Sequence, residues 1–222
     1  MRTMLTRVRL SIALLTERRL ALYAWVDLLL AFVGLGLAFS SARGSSMDFY
    51  FPFFLLPVLF VAVPMLSDAV AVERRSGTLD LALTSPGAAF YFERRMLAVA
   101  ALMIVQGSIG VVLAYVLGEN FDLVTPFVQI IVVSLFTSAV VLNWSVRFKS
   151  AGAVMFATYA TAGVFTPWFF SNPIWPPTTF IRQRQIGDWI DYGQQNLVLL
   201  TAAAVFYLYA RQRLARPERL IA

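Results

Sequence analysis

Residues 72–86 contain the charged side chains most suited to polar interactions in this sequence. This stretch lies between two long apolar runs. It carries Glu73, Arg74, Arg75 and Asp80 among regularly spaced leucines. Carboxylates and guanidinium groups form ion pairs and hydrogen bonds, and such charges at the rim of a contact select the partner and its register. We therefore expect this stretch to dock on a partner outside the apolar part of the molecule.

A second group of candidates consists of isolated polar side chains inside the apolar runs. Ionisable groups are costly in an apolar environment, so each is a candidate for function. For the one carboxylate among them, Asp27, the alternatives are structural pairing with an arginine and the handling of substrate or protons. For the amides, they are hydrogen bonds between helices and a lumen-facing role. The four candidates are Asp27, Gln106, Gln129 and Asn143.

Several classes of chemistry lack their residues in this chain. It contains no Cys and no His, so thiol chemistry, disulfides and the commonest metal ligand are absent. No Walker-type phosphate loop and no Ser-His-Asp set occurs. We therefore expect a protein that is not an enzyme and that holds no cofactor or metal of its own.

The composition indicates an integral membrane protein. Of the 222 residues, 59% are hydrophobic and only 14% are charged, and the mean hydropathy is +0.74. A membrane-spanning helix needs roughly 20 apolar residues. The predicted fold class is all-α, a single polytopic domain over residues 1–222 with six transmembrane helices. Their approximate ranges are 20–39, 49–67, 96–118, 124–146, 151–170 and 196–210.

The distribution of basic residues orients these spans. With a cytoplasmic N-terminus and six crossings, 15 of the 18 Lys and Arg residues fall on the cytoplasmic side, as the positive-inside rule requires. The sixth run is short, but omitting it would place the Arg-rich C-terminal segment outside. We predict that both termini are cytoplasmic. The basic residues form short clusters beside the membrane, which indicates contact with lipid head groups and no nucleic-acid partner.

Residues 1–19 have the pattern of an amphipathic helix. Leu5, Val8, Ile12 and Leu15 follow the spacing of one helical face and alternate with arginines. This pattern predicts a helix in the cytoplasmic interface of the membrane, with a disordered basic arm as the alternative.

The charge distribution places residues 72–86 in the cytoplasm, where they are predicted to form a short helix. Gly77 permits a break, Pro86 ends the helix, and Leu79 and Leu83, one turn apart, form an apolar anchor. Residues 73–86 resemble the Glu-Arg/Lys-x-x-Gly-Thr-Leu-Glu-x-Leu-Leu-x-x-Pro segment of permease subunits in type 2 ATP-binding-cassette (ABC-2) exporters. The candidate docking residues are Glu73, Arg74, Arg75, Gly77, Thr78, Leu79, Leu83 and Pro86.

The resemblance implies that this segment is a coupling helix, seated in a cleft of a separate cytoplasmic ATPase subunit that binds ATP and Mg. It also implies pairing with a second permease copy, identical or related, in a bacterial or archaeal cytoplasmic membrane. A re-entrant helical hairpin is expected between spans five and six. The chain departs from the family at Asp80, where Glu is usual, and at Glu93-Arg94-Arg95, where a Gly-Lys pair is frequent.

Two other classes of function remain open for this sequence. One is a membrane scaffold or assembly subunit whose loop helix packs on its own bundle. The other is a lipid-modifying membrane enzyme that uses Asp27 or Asp188 as an acid or base.

Overall fold

The computed structural model describes residues 57–68, 88–116, 124–171 and 186–215, together with positions 25, 26 and 29. These residues are helical apart from the turns that follow two of the helices, and no strand occurs among them. The all-α class predicted from the sequence is therefore confirmed for the described part of the chain. The helices are α1 (57–68), α2 (Ala88–Val116), α3 (Val124–Ser145), α4 (Ala151–Ser171) and α5 (Ile186–Leu214).

These helices fall on five of the six predicted apolar runs. The bounds of α3 and α4 agree with the predicted spans to within one residue. In contrast, α2 begins at Ala88 and α5 at Ile186, well before their apolar runs. Hydropathy marks where a helix is apolar, whereas backbone hydrogen bonding continues through polar residues. The predicted sixth span, 196–210, is thus the middle of a 29-residue helix.

Two of the described helices contain a segment long and apolar enough to cross a membrane. These segments are Phe127–Ser145 in α3 and Asn196–Leu214 in α5, and shorter apolar segments occur in α2 and α4. Their length and composition support membrane association. The six-span count, the N-terminal interfacial helix and the hairpin predicted within residues 170–195 fall wholly or partly outside the described residues and stay predictions.

Proline explains the irregular start of α1. Pro64 has no N–H group, and its ring would clash with the carbonyl of Phe60 in a regular helix. The backbone widens instead into a π turn over Val58–Ala62, in which the N–H of Val63 donates to the carbonyl of Val58. Prolines in this run predict a kinked or broken helix, and a local π turn is the form that the disturbance takes here.

Helix α3 lies at the centre of the described bundle. Its apolar segment is 67% buried, whereas that of α5 is 22% buried. One side of α3, with Ile130 and Val141, packs against apolar residues of α1, α2 and α4. Another side, with Val132, Phe136 and Val140, packs against α5. Helices α2 and α5 make the most extensive contacts with α3, so α3 connects the other elements.

The contacts between α3 and α5 indicate their relative direction. The Phe136 and Phe206 rings meet with centroids 6.4 Å apart. Further along the chain, the guanidinium of Arg147, two residues past the end of α3, lies 6.0 Å from the centre of the Tyr209 ring of α5. The contacts advance in the same sense along each helix, so α3 and α5 run parallel. A parallel pair with α4 between them in sequence agrees with the alternating directions predicted for spans four, five and six.

Hydroxyl groups in the bundle are satisfied mainly within their own helices. Ser67, Ser108, Thr158 and Thr201 each donate to the backbone carbonyl four residues earlier. Such a bond satisfies the hydroxyl group within its own helix, so no partner on another helix is needed. Thr161 does the same to Ala157 and also accepts a 2.9 Å hydrogen bond from the indole N–H of Trp144, which joins α4 to α3.

Candidate functional site at the charged end of the bundle

Apart from Asp68 at the end of α1, the charged side chains that the structure describes lie where α2 begins and where α3 and α5 end. A 2.6 Å hydrogen bond from Tyr207 to Glu93 brings the start of α2 to the last turns of α5, so α2 runs opposite to α5. The end of α3 lies beside α5 through Arg147 and Tyr209. We call this region the charged end; its ionisable side chains are Glu93, Arg94, Arg147, Lys149, Arg211 and Arg213.

The Glu93–Tyr207 hydrogen bond is the polar link between α2 and α5. The Tyr207 hydroxyl donates to Oε1 of Glu93 from a half-buried position. A hydrogen bond to an ionised carboxylate is shorter and stronger than one between neutral groups. Arg211 lies one turn beyond Tyr207 on α5. The sequence marks Glu93 only as a departure from the ABC-2 pattern, and nothing in it pairs Glu93 with Tyr207.

Tyr207→Phe is expected to destabilise the protein by about 1.5 kcal/mol, because it removes a charge-assisted hydrogen bond and leaves the carboxylate with one donor fewer. Tyr209→Phe is the matched control. Tyr209 is two residues away and 55% exposed, so this change should alter stability by less than about 0.5 kcal/mol. Thermal unfolding in detergent measures both. Equal stability of the two variants would contradict a structural role for the Glu93 contact.

On the other flank of the charged end, an arginine lies among aromatic rings. The Arg147 guanidinium is 5.2 Å from the centre of the Trp144 ring and 6.0 Å from that of Tyr209. Trp144 in turn stacks on Phe148, with ring centroids 5.6 Å apart. A guanidinium within about 6 Å of a ring face is attracted by the ring quadrupole. The sequence places these residues near the membrane surface but does not reveal the cluster.

The polar candidates within the spans are not brought together in the bundle. Gln129 and Asn143 are 4% and 1% exposed, and they lie at opposite ends of the α3 face that packs on α5. At 1.5 Å per residue they are about 21 Å apart along the helix. Gln106 is half-buried on α2. Gln129 and Asn143 therefore do not share one binding site. Oδ1 of Asn143 accepts no hydrogen bond within the described part of the chain, so both alternatives for the amides stay predictions.

Small residues are buried on both α3 and α2. Ser134 and Ser138 are fully buried on α3, and Gly107 and Gly110 are buried on α2. Small side chains let two helices approach closely within a membrane. The hydroxyl oxygens of Ser134 and Ser138 form no hydrogen bond within the described part of the chain. The sequence predicts that Gly107 and Gly110 permit close contact between helices, and both are buried.

The remaining predicted site residues lie outside the described residues. They are Asp27 and the whole docking segment, with Glu73, Arg74, Arg75, Gly77, Thr78, Leu79, Leu83 and Pro86. Across the described residues, no group of three or more acidic side chains is placed to hold a metal ion. The charged end, where α2 begins two residues after Pro86, is thus the described surface nearest in sequence to the docking segment.

Comparisons of the chain with protein-family models, curated proteins and solved structures find no match.

Proposed function

We propose that this chain is the transmembrane permease subunit of an ABC-2 exporter. In this proposal it forms the translocation path as a dimer and crosses the cytoplasmic membrane six times, with both termini inside. It is not itself an enzyme; a separate cytoplasmic ATPase binds ATP and Mg and engages residues 72–86. The observation that supports the proposal most is the charged end, where the helix that follows this segment meets the ends of α3 and α5.

The direction of the described helices supports a cytoplasmic position for residues 72–86. Positive charge marks the cytoplasmic ends of membrane helices. The start of α2 and the ends of α3 and α5 meet at one end of the bundle, and that end carries Arg94, Arg147, Lys149, Arg211 and Arg213. The docking segment directly precedes α2, so it would emerge on the same side. This is the side on which an ATPase could reach it.

The contacts of α2 provide a route from the docking segment into the bundle. Ala88–Val116 is one continuous helix of 29 residues, so a push at its start would move it as a rigid rod. Glu93 links that start to Tyr207 of α5, and both α2 and α5 pack along α3. Closure of the ATPase around residues 72–86 would therefore displace α2 and α5 together against the central helix. The apolar composition of these helices favours an amphiphilic or apolar cargo.

The proposal is tested by purifying the full chain together with candidate ATP-binding-cassette ATPases from the same genome, beginning with any that is encoded beside its gene. We expect a complex that contains both proteins and, in liposomes, an ATP turnover several-fold different from that of the ATPase alone. A Walker-motif variant of the ATPase should bind the chain without turnover. Failure to form a complex, together with unchanged ATP turnover, would contradict the permease assignment and favour the scaffold alternative.

A further inference from the structure

We propose that the flank of the charged end formed by Trp144, Arg147, Tyr209 and Arg213 binds the anionic head group of a phospholipid. This lipid surface is separate from the docking segment at residues 72–86 and does not depend on the ATPase. It depends only on the location of α5 within a membrane.

Spacing on α5 produces a surface that changes character along its length. Val205, Tyr209 and Arg213 are four residues apart, so they lie above one another on one face of the helix. Val205 is 45% and Tyr209 55% exposed, and Arg213 is exposed as well. The face thus passes from aliphatic to aromatic to cationic toward the end of the helix. A phospholipid has the same order, from acyl chain through glycerol to phosphate.

The end of α3 adds a second cation at the level of the aromatic ring. The Arg147 guanidinium lies 6.0 Å from the centre of the Tyr209 ring. Tyr209 itself is one turn from Arg213 along α5. The rings of Trp144 and Tyr209 hold this guanidinium by cation–π contact. The two rings carry no formal charge, so they do not neutralise the positive charge of Arg147, which can attract an anion. Two guanidinium groups beside one apolar face suit a phosphate at the membrane surface.

The distribution of acids favours this flank over the opposite one. The acids whose side chains are described are Asp68 and Glu93. Glu93 accepts a hydrogen bond from Tyr207 on the other flank of α5. Arg211 lies one turn beyond Tyr207 on the same helix. The flank of α5 that carries Arg211 thus also contacts a carboxylate. Among the described side chains, Arg147 contacts aromatic rings, and together with Arg213 it supplies positive charge of the kind that attracts anionic lipid.

Exposed aromatic rings favour a lipid over an acidic protein surface as the occupant. Phe148 is 39% and Tyr209 55% exposed, and aromatic side chains are enriched at head-group depth in membrane proteins. The exposed aliphatic face that ends at Tyr209 continues toward Leu197, which is 64% exposed. A bound acyl chain would cover that face, whereas a cytoplasmic protein would reach only its charged tip.

The test measures lipid association with the purified full chain in zwitterionic nanodiscs. Spin-labelled phosphatidylglycerol and phosphatidylcholine report the relative association of anionic and neutral lipid. Arg147→Gln and Arg213→Gln are each expected to lower the preference for phosphatidylglycerol about fivefold, the contribution of one basic residue near an anionic membrane surface. Arg147→Lys with Arg213→Lys should retain most of it, which separates loss of charge from misfolding.

Arg211→Gln is the matched control, because it removes one positive charge from the same end of α5. We expect a change of less than twofold, since Arg211 lies one turn from Tyr207, on the flank of α5 that contacts Glu93. Equal losses in all three glutamine variants would show diffuse surface charge and overturn the site. If soluble glycerol phosphate displaced the labelled lipid, the site would bind phosphate in general, and the proposal of a lipid site would be overturned. If the glutamine variants lost the ATPase but kept the lipid preference, the occupant would be the protein partner.

Discussion

Replacing Leu79 and Leu83 together by Asp is expected to weaken the complex with the ATPase at least tenfold and to abolish coupled ATP turnover. The two leucines are one helical turn apart and are the predicted apolar anchors of the docking segment. Truncating a central anchor of an interface typically costs 2 kcal/mol or more, and a buried carboxylate without a partner adds to that cost. Co-purification and the affinity for the isolated ATPase measure the effect.

Leu81→Asp is the matched control for this experiment. Leu81 lies between the two anchors and, in a helix, points to the opposite side. The same substitution at this position should reduce the affinity by no more than about threefold, because rim charges affect specificity more than affinity. Loss of the complex with Leu81→Asp alone would contradict a helix that docks by one face. An intact complex with the double variant would contradict docking by this segment.

Ile130→Ala is expected to destabilise the protein by about 2 kcal/mol. The Ile130 side chain is completely buried, at 0% exposed, among apolar residues contributed by several helices. Truncation there leaves a cavity and removes close contacts. We expect the low end of the usual range, since lipid or detergent solvates an apolar side chain almost as well as the protein interior does. Chemical or thermal unfolding in detergent measures the loss.

The adjacent residue provides the control for Ile130. Ile131 is 42% exposed on the same helix, so Ile131→Ala removes the same atoms with the same change in helix propensity. We expect a loss below about 0.5 kcal/mol. A larger loss at Ile131 than at Ile130 would mean that the inward face of α3 is assigned to the wrong side.

The existence and approximate position of the described helices could be predicted from hydropathy. For α3 and α4 the apolar run and the helix coincide, and the predicted bounds agree to within one residue. For α5 the prediction begins at 196 although the helix begins at Ile186. Polar residues there continue the hydrogen-bonded backbone, which hydropathy alone does not mark. An extension of the short sixth run through polar residues 188–195 is nevertheless a prediction of the sequence, and α5 confirms it.

The contacts at the charged end could be predicted only in part. The positive-inside rule predicts that the basic residues lie on one side of the membrane, because it depends on residue type and position in the chain. It contains no information on which helices are neighbours. The pairing of Glu93 with Tyr207 and the position of Arg147 over Tyr209 depend on the relative direction and rotation of three helices. Residues far apart in the chain decide these quantities.

The sequence by itself determined the all-helical class, the positions of long apolar segments and the segregation of basic residues into short clusters. Only the tertiary structure decided which side of each helix faces inward. The reason is physical: α3 is apolar on nearly all sides, so no amphipathic stripe separates protein-facing from lipid-facing residues. Ile130 and Ile131 are identical and adjacent in the sequence, yet one is 0% and the other 42% exposed. Packing against α1, α2 and α5 makes that distinction.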